Sequence, residues 1–351
     1  MNNSDLIYRV AHCMTQFKKA SFTENSPVSN VDIEKWNWPQ GVGMYGLYRY
    51  WESTKNQEIL DWLFGWYERR FKEGLPDKNI NSVTPLLTLC YLQEIKPNPV
   101  YLSVIKEWAD YIVKEFPRTD GNGFEHSGIG INDLYGQLWD DTLFMTCLFL
   151  ARAGKLLNKK EYIAECERQF LVHCQYLFDK ETGLWFHGWT FKGKNNFGKA
   201  LWGRGNCWIT VAIPDLLEMD VVGEGVKLFL TDVLEQQAKA LVRFQNENGM
   251  WHTVINETDS YVESSATSGF GYGILKAIRL GFLSEEYYSI VEKAVNAIRE
   301  RIDDNGAVKQ VSYGTNVGDN TDCYKSIPYC ETPYGQALAL LILNEAEKLN
   351  V

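Results

Sequence analysis

The sequence is short of cations and of histidine. Thirty-five Lys and Arg stand against 45 Asp and Glu, a net charge of −10, with five His in 351 residues. That balance excludes a broad basic face for nucleic acid. An anionic ligand must be held by a few local cations. No apolar run reaches the about 18 residues that a membrane-spanning helix needs. The opening MNNSDLIYRVAHCMTQFKKA has no basic stretch followed by an apolar one, and reads as an amphipathic helix rather than an export signal. Eight cysteines are scattered without a Cys-x-x-Cys pair. Reduced thiols in a cytoplasmic protein are therefore expected, not a disulfide framework or a zinc site. Other signatures are missing too. KGKNNFGK (192–199) lacks Walker spacing, and no G-x-G-x-x-G opens a helix after a strand. There is no HExxH and no GxSxG. His and Cys do not cluster as metal ligands. Neither a cofactor nor a metal is expected.

What is present is a repeated theme of paired helices. Six segments are apolar on all sides: 41–51, 82–92, 138–154, 205–219, 265–281 and 333–349. Such helices belong inside a protein. Five charged segments alternate with them, at 56–74, 98–116, 160–178, 224–245 and 284–302. Their apolar residues fall at i, i+3, i+4 spacing, the mark of a half-exposed helix. Residues 4–19 supply a sixth and can close a ring against the last inner helix. Turn residues and a glycine follow the outer helices, as in TDGNGFEH (119–126) and QNENGMWHTV (245–254). The pattern predicts an all-α fold: an (α/α)6 barrel of six helical hairpins, one domain over 1–351. An open helical solenoid is the alternative, and the sixth outer helix favours closure.

Within the third inner segment, LWDDTLFM (138–145) places Asp140 and Asp141 in apolar surroundings. Burying a carboxylate costs several kcal/mol (~2–7 for even an uncharged polar group) unless it is paired or neutralised. On one continuous helix the two would point about 100° apart, so they cannot flank one bond. Polar and aromatic residues gather at the N-terminal ends of the inner segments and in the loops before them. They are Trp36, Trp38, Asn79, Asn81, His126, Trp139, Asp140, Asp141, His187, Trp189, Trp202, Arg204, Asn206, Trp208, Glu263 and Tyr334. Indole faces stack on the C–H faces of a sugar, and polar groups fix its hydroxyls, so this reads as a sugar site. Arg204, between glycines in WGRGNCW, suits a bidentate grip on a carboxylate. His12 and His173 read as structural; His252 is left open.

The motifs WNWPQGVGMYG (36–46), NINSVTPLLTL (79–89), QLWDDTLFM (137–145), GLWFHGW (183–189), WGRGNCW (202–208), ESSATSGFGYGILKA (263–277) and PYGQALA (333–339) together resemble glycoside hydrolase family 105, the unsaturated rhamnogalacturonyl hydrolases. The resemblance covers nearly the whole chain and implies the same barrel. It also implies a metal-free hydrolase acting on a small oligosaccharide that ends in a 4,5-unsaturated uronic acid. The family's acid/base falls on Asp141. Its sugar pocket falls on Trp139, His187, Trp202, Arg204 and Trp208, with His126 and Trp38 matching less sharply. A second Asp found in some members is replaced here by Asn81, which can bond a hydroxyl but cannot act as an acid. Asp140 is left a supporting role, with a hydrogen bond to backbone or to an indole expected. Desolvation is expected to outweigh the helix N-terminus once substrate closes the site, keeping Asp141 protonated. Arg204 or His187 is the expected cation for the uronate carboxylate. A glucuronyl-specific hydrolase of the same fold, an epimerase using His126 and His187, and a non-catalytic helical scaffold are the competing readings.

Overall fold

A computed structural model describes residues 3–18, 31–126, 136–315, 317–349 and 351. Six inner helices form a closed ring: α2 (Trp38–Thr54), α5 (Pro85–Ile95), a π segment (Leu143–Cys147) running into α7 (Leu148–Leu157), α9 (Gly203–Glu218), α11 (Ser264–Arg279) and α14 (Pro333–Leu349). Each packs on the next, and α14 returns to α2. Their residues are buried almost without interruption, as the all-round apolar pattern predicts. Outside lie α1 (Asn3–Thr15), α3 (Gln57–Glu73), α6 (Pro99–Glu115), α8 (Lys160–Leu177), α10 (Glu224–Phe244) and α12 (Tyr288–Arg299), each apolar on one face.

Closure rests on two contacts. Gly46 of α2 meets Ala337 of α14 so closely that a Cβ at residue 46 would stand 2.7 Å from the Ala337 Cα. Helix α1 takes the sixth outer place: Gln336 of α14 donates to the Val10 carbonyl at 3.1 Å and to the Gly306 carbonyl at 2.8 Å. The barrel is therefore closed, and the solenoid is excluded. Lys19, the last residue of the expected N-terminal helix, lies outside the described residues, and α1 ends at Thr15.

Two inner segments depart from the expected helices. The second is split into α4 (Ile80–Val83) and α5 at Thr84–Pro85, because Pro85 offers no N–H to continue the ladder. The third does not begin as a helix. Gln137–Trp139 forms strand β1, paired antiparallel with β2 (Gly188–Thr190). The Asp140 N–H then bonds the His187 carbonyl at 3.0 Å, so it is unavailable to a helix. A second small pair, β3 (Trp251–His252) with β4 (Val262–Glu263), precedes α11. A short helix α13 (Thr321–Lys325) lies in the segment before α14.

The two ends of the barrel differ. At the C-terminal ends of the inner helices, Asp215 of α9 is fully buried and accepts from Tyr45 (2.8 Å), Tyr272 (2.7 Å) and Lys276. Lys276 also reaches Glu218 at 2.7 Å, and Arg49 joins Glu218 at 2.8 Å. That network closes one end with paired charge. The paired strands, with Trp139, His187 and Trp202, lie at the other end.

Candidate active site

Asp140 and Asp141 occupy the turn between β1 and the third inner helix, not the helix interior. The Asp141 carbonyl accepts from Met145 N at 2.9 Å and Phe144 N at 3.1 Å, so Asp141 sits at that helix's mouth. The following turns are a π segment, a local departure from α geometry that often marks functional sites. The divergence of the two carboxylates thus comes from a strand-to-helix turn. Their environments differ: the Asp141 side chain is 17% exposed, whereas Asp140 is fully buried.

Aromatic rings carry the wall of the site onward from Asp141. His126 Nδ1 lies 3.5 Å from Asp141 Oδ1 and 3.4 Å from Thr142 Oγ1. Its ring is stacked on Trp139, centroids 3.9 Å apart. Trp139 contacts His187 (5.5 Å), and His187 contacts Trp202 (4.3 Å). The Arg204 guanidinium lies 4.5 Å over Trp202 and 5.0 Å over Tyr334. Tyr334 stacks on Trp38 at 4.7 Å, Trp38 meets the edge of Trp208, and Trp208 rests on Phe144, three residues from Asp141. The contacts close a circuit. Eight of the nine residues placed by the family resemblance lie on it. Asn81 is half-buried on α4, which packs beside the π segment through a bond from Thr146 to the Ile80 carbonyl.

Unpartnered buried atoms concentrate here. Among the described residues, those without a hydrogen-bond partner include Asp141 Oδ1, both oxygens of Asp140, His187 Nε2, Trp202 Nε1 and Arg204 Nε. A buried polar atom without a partner costs about 1–3 kcal/mol, so several in one place mark a surface shaped for a ligand. Arg204 is only partly committed. Nη1 donates to the carbonyl and hydroxyl of Ser312, and Nη2 to the Tyr313 carbonyl at 2.8 Å. Of five guanidinium N–H groups, Nε–H and one on Nη2 have no acceptor among the described residues.

Burial sets the protonation states. It pushes the Asp141 carboxyl up to about 7, against the opposing pull of Arg204 and backbone N–H groups. Desolvation therefore outweighs them even before a substrate closes the site. Burial, with the neighbouring Asp141 charge, raises Asp140 well above the carboxylate range. His126 is pushed down to about 3, and His187 well below the usual imidazole value, by burial first in each case. Both imidazoles are neutral near pH 7, so His187 is not the cation expected for a carboxylate and Arg204 alone is left for that role.

No indole or other side chain bonds the Asp140 carboxyl among the described residues; only the backbone N–H groups of Asp141 and Asp140 act on it. The carboxyl rests against Gly205 in the first turn of α9, at the positive end of that helix. Trp36, Asn79, Asn206 and Glu263 hold the backbone instead. Trp36 donates to the Ser82 carbonyl, Asn206 clamps the Trp185 backbone, Asn79 caps α4 and Glu263 caps α11. His173 bonds the Gln169 carbonyl, and His252 contacts Ser260 and Asn246. Tyr324, whose hydroxyl lies 2.7 Å from His187 Nδ1, was not singled out in the sequence. Nothing local in TDCYKS signals a contact 137 residues away. All eight cysteines are free, and no group of three or more His, Cys, Asp or Glu among the described residues could hold a metal.

The model of Glycosyl Hydrolase Family 88 matches residues 10–350. Unsaturated rhamnogalacturonyl hydrolase YesR of Bacillus subtilis is 33% identical over 89% of this chain and 90% of its own length. An unsaturated 3S-rhamnoglycuronyl hydrolase of an Alteromonas species is 26% identical over 95% of this chain and 82% of its own. A crystal structure from Salmonella enterica, of a possible member of the GH105 family, superposes with a TM-score of 0.95 at 41% identity, covering 99% of this chain and 94% of that one. With the motifs and the closed six-hairpin barrel, these matches make the chain a glycoside hydrolase that belongs to family 88 and is of the family 105 type.

Proposed function

We propose that this single-domain enzyme removes the 4,5-unsaturated galacturonyl residue from the non-reducing end of lyase-generated rhamnogalacturonan oligosaccharides, in the cytoplasm. One observation carries the mechanism. Of the two adjacent acids, only Asp141 is both accessible and held near neutrality, up to about 7. Similarity to YesR supports the substrate, and eight free thiols support a reducing compartment.

An ordinary glycosidase flanks the scissile bond with two carboxyl groups. Here Asp140 and Asp141 are neighbours in one turn, and Asn81 replaces a further acid. The C4=C5 bond of the substrate is an enol ether, which needs one acid. Neutral Asp141 gives its proton to C4, leaving an oxocarbenium ion at C5. Water adds to C5 and returns a proton to the Asp141 carboxylate. The C5 hemiketal opens by breaking its bond to the ring oxygen, which takes up a proton and becomes a hydroxyl on C1. C1 is then a hemiacetal, and it expels the next sugar as an alcohol while becoming an aldehyde. Atoms balance, with one water consumed.

The remaining residues bind. Trp38, Trp139, Trp202 and Trp208 offer faces and edges to the sugar, and Asn81 and His126 offer polar groups to hydroxyls. Arg204, with its two uncommitted N–H groups, faces the uronate carboxylate.

The test is loss of the ultraviolet absorbance of the unsaturated uronate, followed against a panel of lyase products. The rhamnogalacturonan disaccharide should be turned over fastest. Asp141→Asn should keep the fold and lose turnover. Faster turnover of glucuronyl products would overturn the substrate assignment, and an active Asp141→Asn enzyme would overturn the mechanism.

A further inference from the structure

His187 is held by a residue far away in the chain. Its Nδ1 lies 2.7 Å from the hydroxyl of Tyr324, on α13. The same hydroxyl accepts from the Gly318 N–H at 3.0 Å. Both side chains are about 1% exposed. His187 Nε2 is buried and has no partner among the described residues.

Counting protons fixes the arrangement. A phenol carries one proton to give, and its oxygen accepts from others. If the imidazole carried its proton on Nδ1, that proton would go to the Tyr324 oxygen. The oxygen would then accept twice, from Gly318 and from His187, and the phenol proton would be stranded in the interior. A stranded buried donor is costly. If the phenol instead donates to a bare Nδ1, the junction is satisfied and only the Nε2–H has no partner among the described residues, whereas the other tautomer leaves both the phenol proton and a bare Nε2 unmet. The imidazole proton then sits on Nε2.

We propose that Tyr324 is a positioning residue that locks His187 in its Nε2–H tautomer, so that His187 presents a donor, not an acceptor, to an oxygen of the bound uronate. The placement fits. His187 touches both Trp139 and Trp202, between Asp141 on one side and Arg204 on the other. The segment that brings Tyr324 is itself anchored to the site, since Arg204 holds Ser312 and Tyr313. The substrate half of this inference rests on the proposed function; the tautomer half does not.

The experiment is long-range proton–nitrogen NMR of the substrate-free enzyme, with His187 assigned by comparison with His187→Gln. The wild type should show a protonated Nε2 and a bare Nδ1. Tyr324→Phe keeps the ring against Trp202 and removes only the hydroxyl. It should move His187 towards a mixture of tautomers, raise KM about tenfold and change kcat less than threefold, the scale of one hydrogen bond. An Nδ1–H signal in the wild type would overturn the proposal, whether or not Tyr324→Phe folds. A tautomer unmoved in Tyr324→Phe would overturn the role of Tyr324. If no unsaturated uronide is turned over while the Nε2–H tautomer is found, the proposed function fails and the lock stands.

Discussion

Gly205 and Asp140 pack with no side chain between them: a Cβ on residue 205 would overlap both oxygens of the Asp140 carboxyl. The glycine in WGRGNCW therefore makes room for an acid on the neighbouring inner segment. Gly205→Ala should destabilise the protein by about 1–3 kcal/mol, the cost of overpacking. It should also cut turnover, because Asp140 cannot shift without moving Asp141. Denaturant titration and the absorbance assay test both. An alanine variant with wild-type stability would contradict the packing.

The pH profile has a definite sign. In the proposed mechanism Asp141 must carry a proton to start the reaction, and burial holds its carboxyl at about 7. Activity, as kcat/KM, should be level below that value and fall about tenfold per pH unit above it. The two site imidazoles are neutral, with His126 at about 3 and His187 well below its usual value. They should add no limb between pH 5 and 8. A rise in activity through that range would point to a histidine base and to the epimerase reading.

Asp140 should cost stability as pH rises. Its folded-state pKa is raised, so the folded protein binds more protons than the unfolded chain once pH exceeds the ordinary carboxylate value of about 3.9. Stability then declines with increasing pH until the folded acid ionises. Asp140→Asn removes that slope. The variant should match the wild type near pH 4 and melt higher at pH 8. A lower melting temperature at pH 8 would show that the ionised carboxylate is stabilised in the fold.

The charged network at the far end should matter for stability and not for chemistry. Lys276→Met leaves Asp215 buried without its nearest cation. Breaking one side of a buried pair costs about 3–5 kcal/mol. Denaturant titration should show that loss, with KM unchanged in the folded enzyme. A change in KM alone would connect the two ends of the barrel.

The division between sequence and tertiary structure follows from range. Apolar periodicity is local, so the six inner and six outer helices, and the place of α1, were legible before any coordinates. Motif content singled out Asp141, Trp139, His187, Trp202, Arg204 and Trp208 in the same way. The sequence could not reveal that β1 pairs with β2 and takes the Asp140 N–H. That bond turns an apparent helix into a strand and a turn, and so sets the directions of both carboxylates. Nor could it reveal Tyr324, because a hydrogen bond across 137 residues leaves no trace in local pattern. In LWDDTLFM, residue type alone made the two acids equivalent. The motif named Asp141, and the fold supplies the physical difference, by burying Asp140 against Gly205 and leaving Asp141 partly open, since desolvation depends on which surfaces meet.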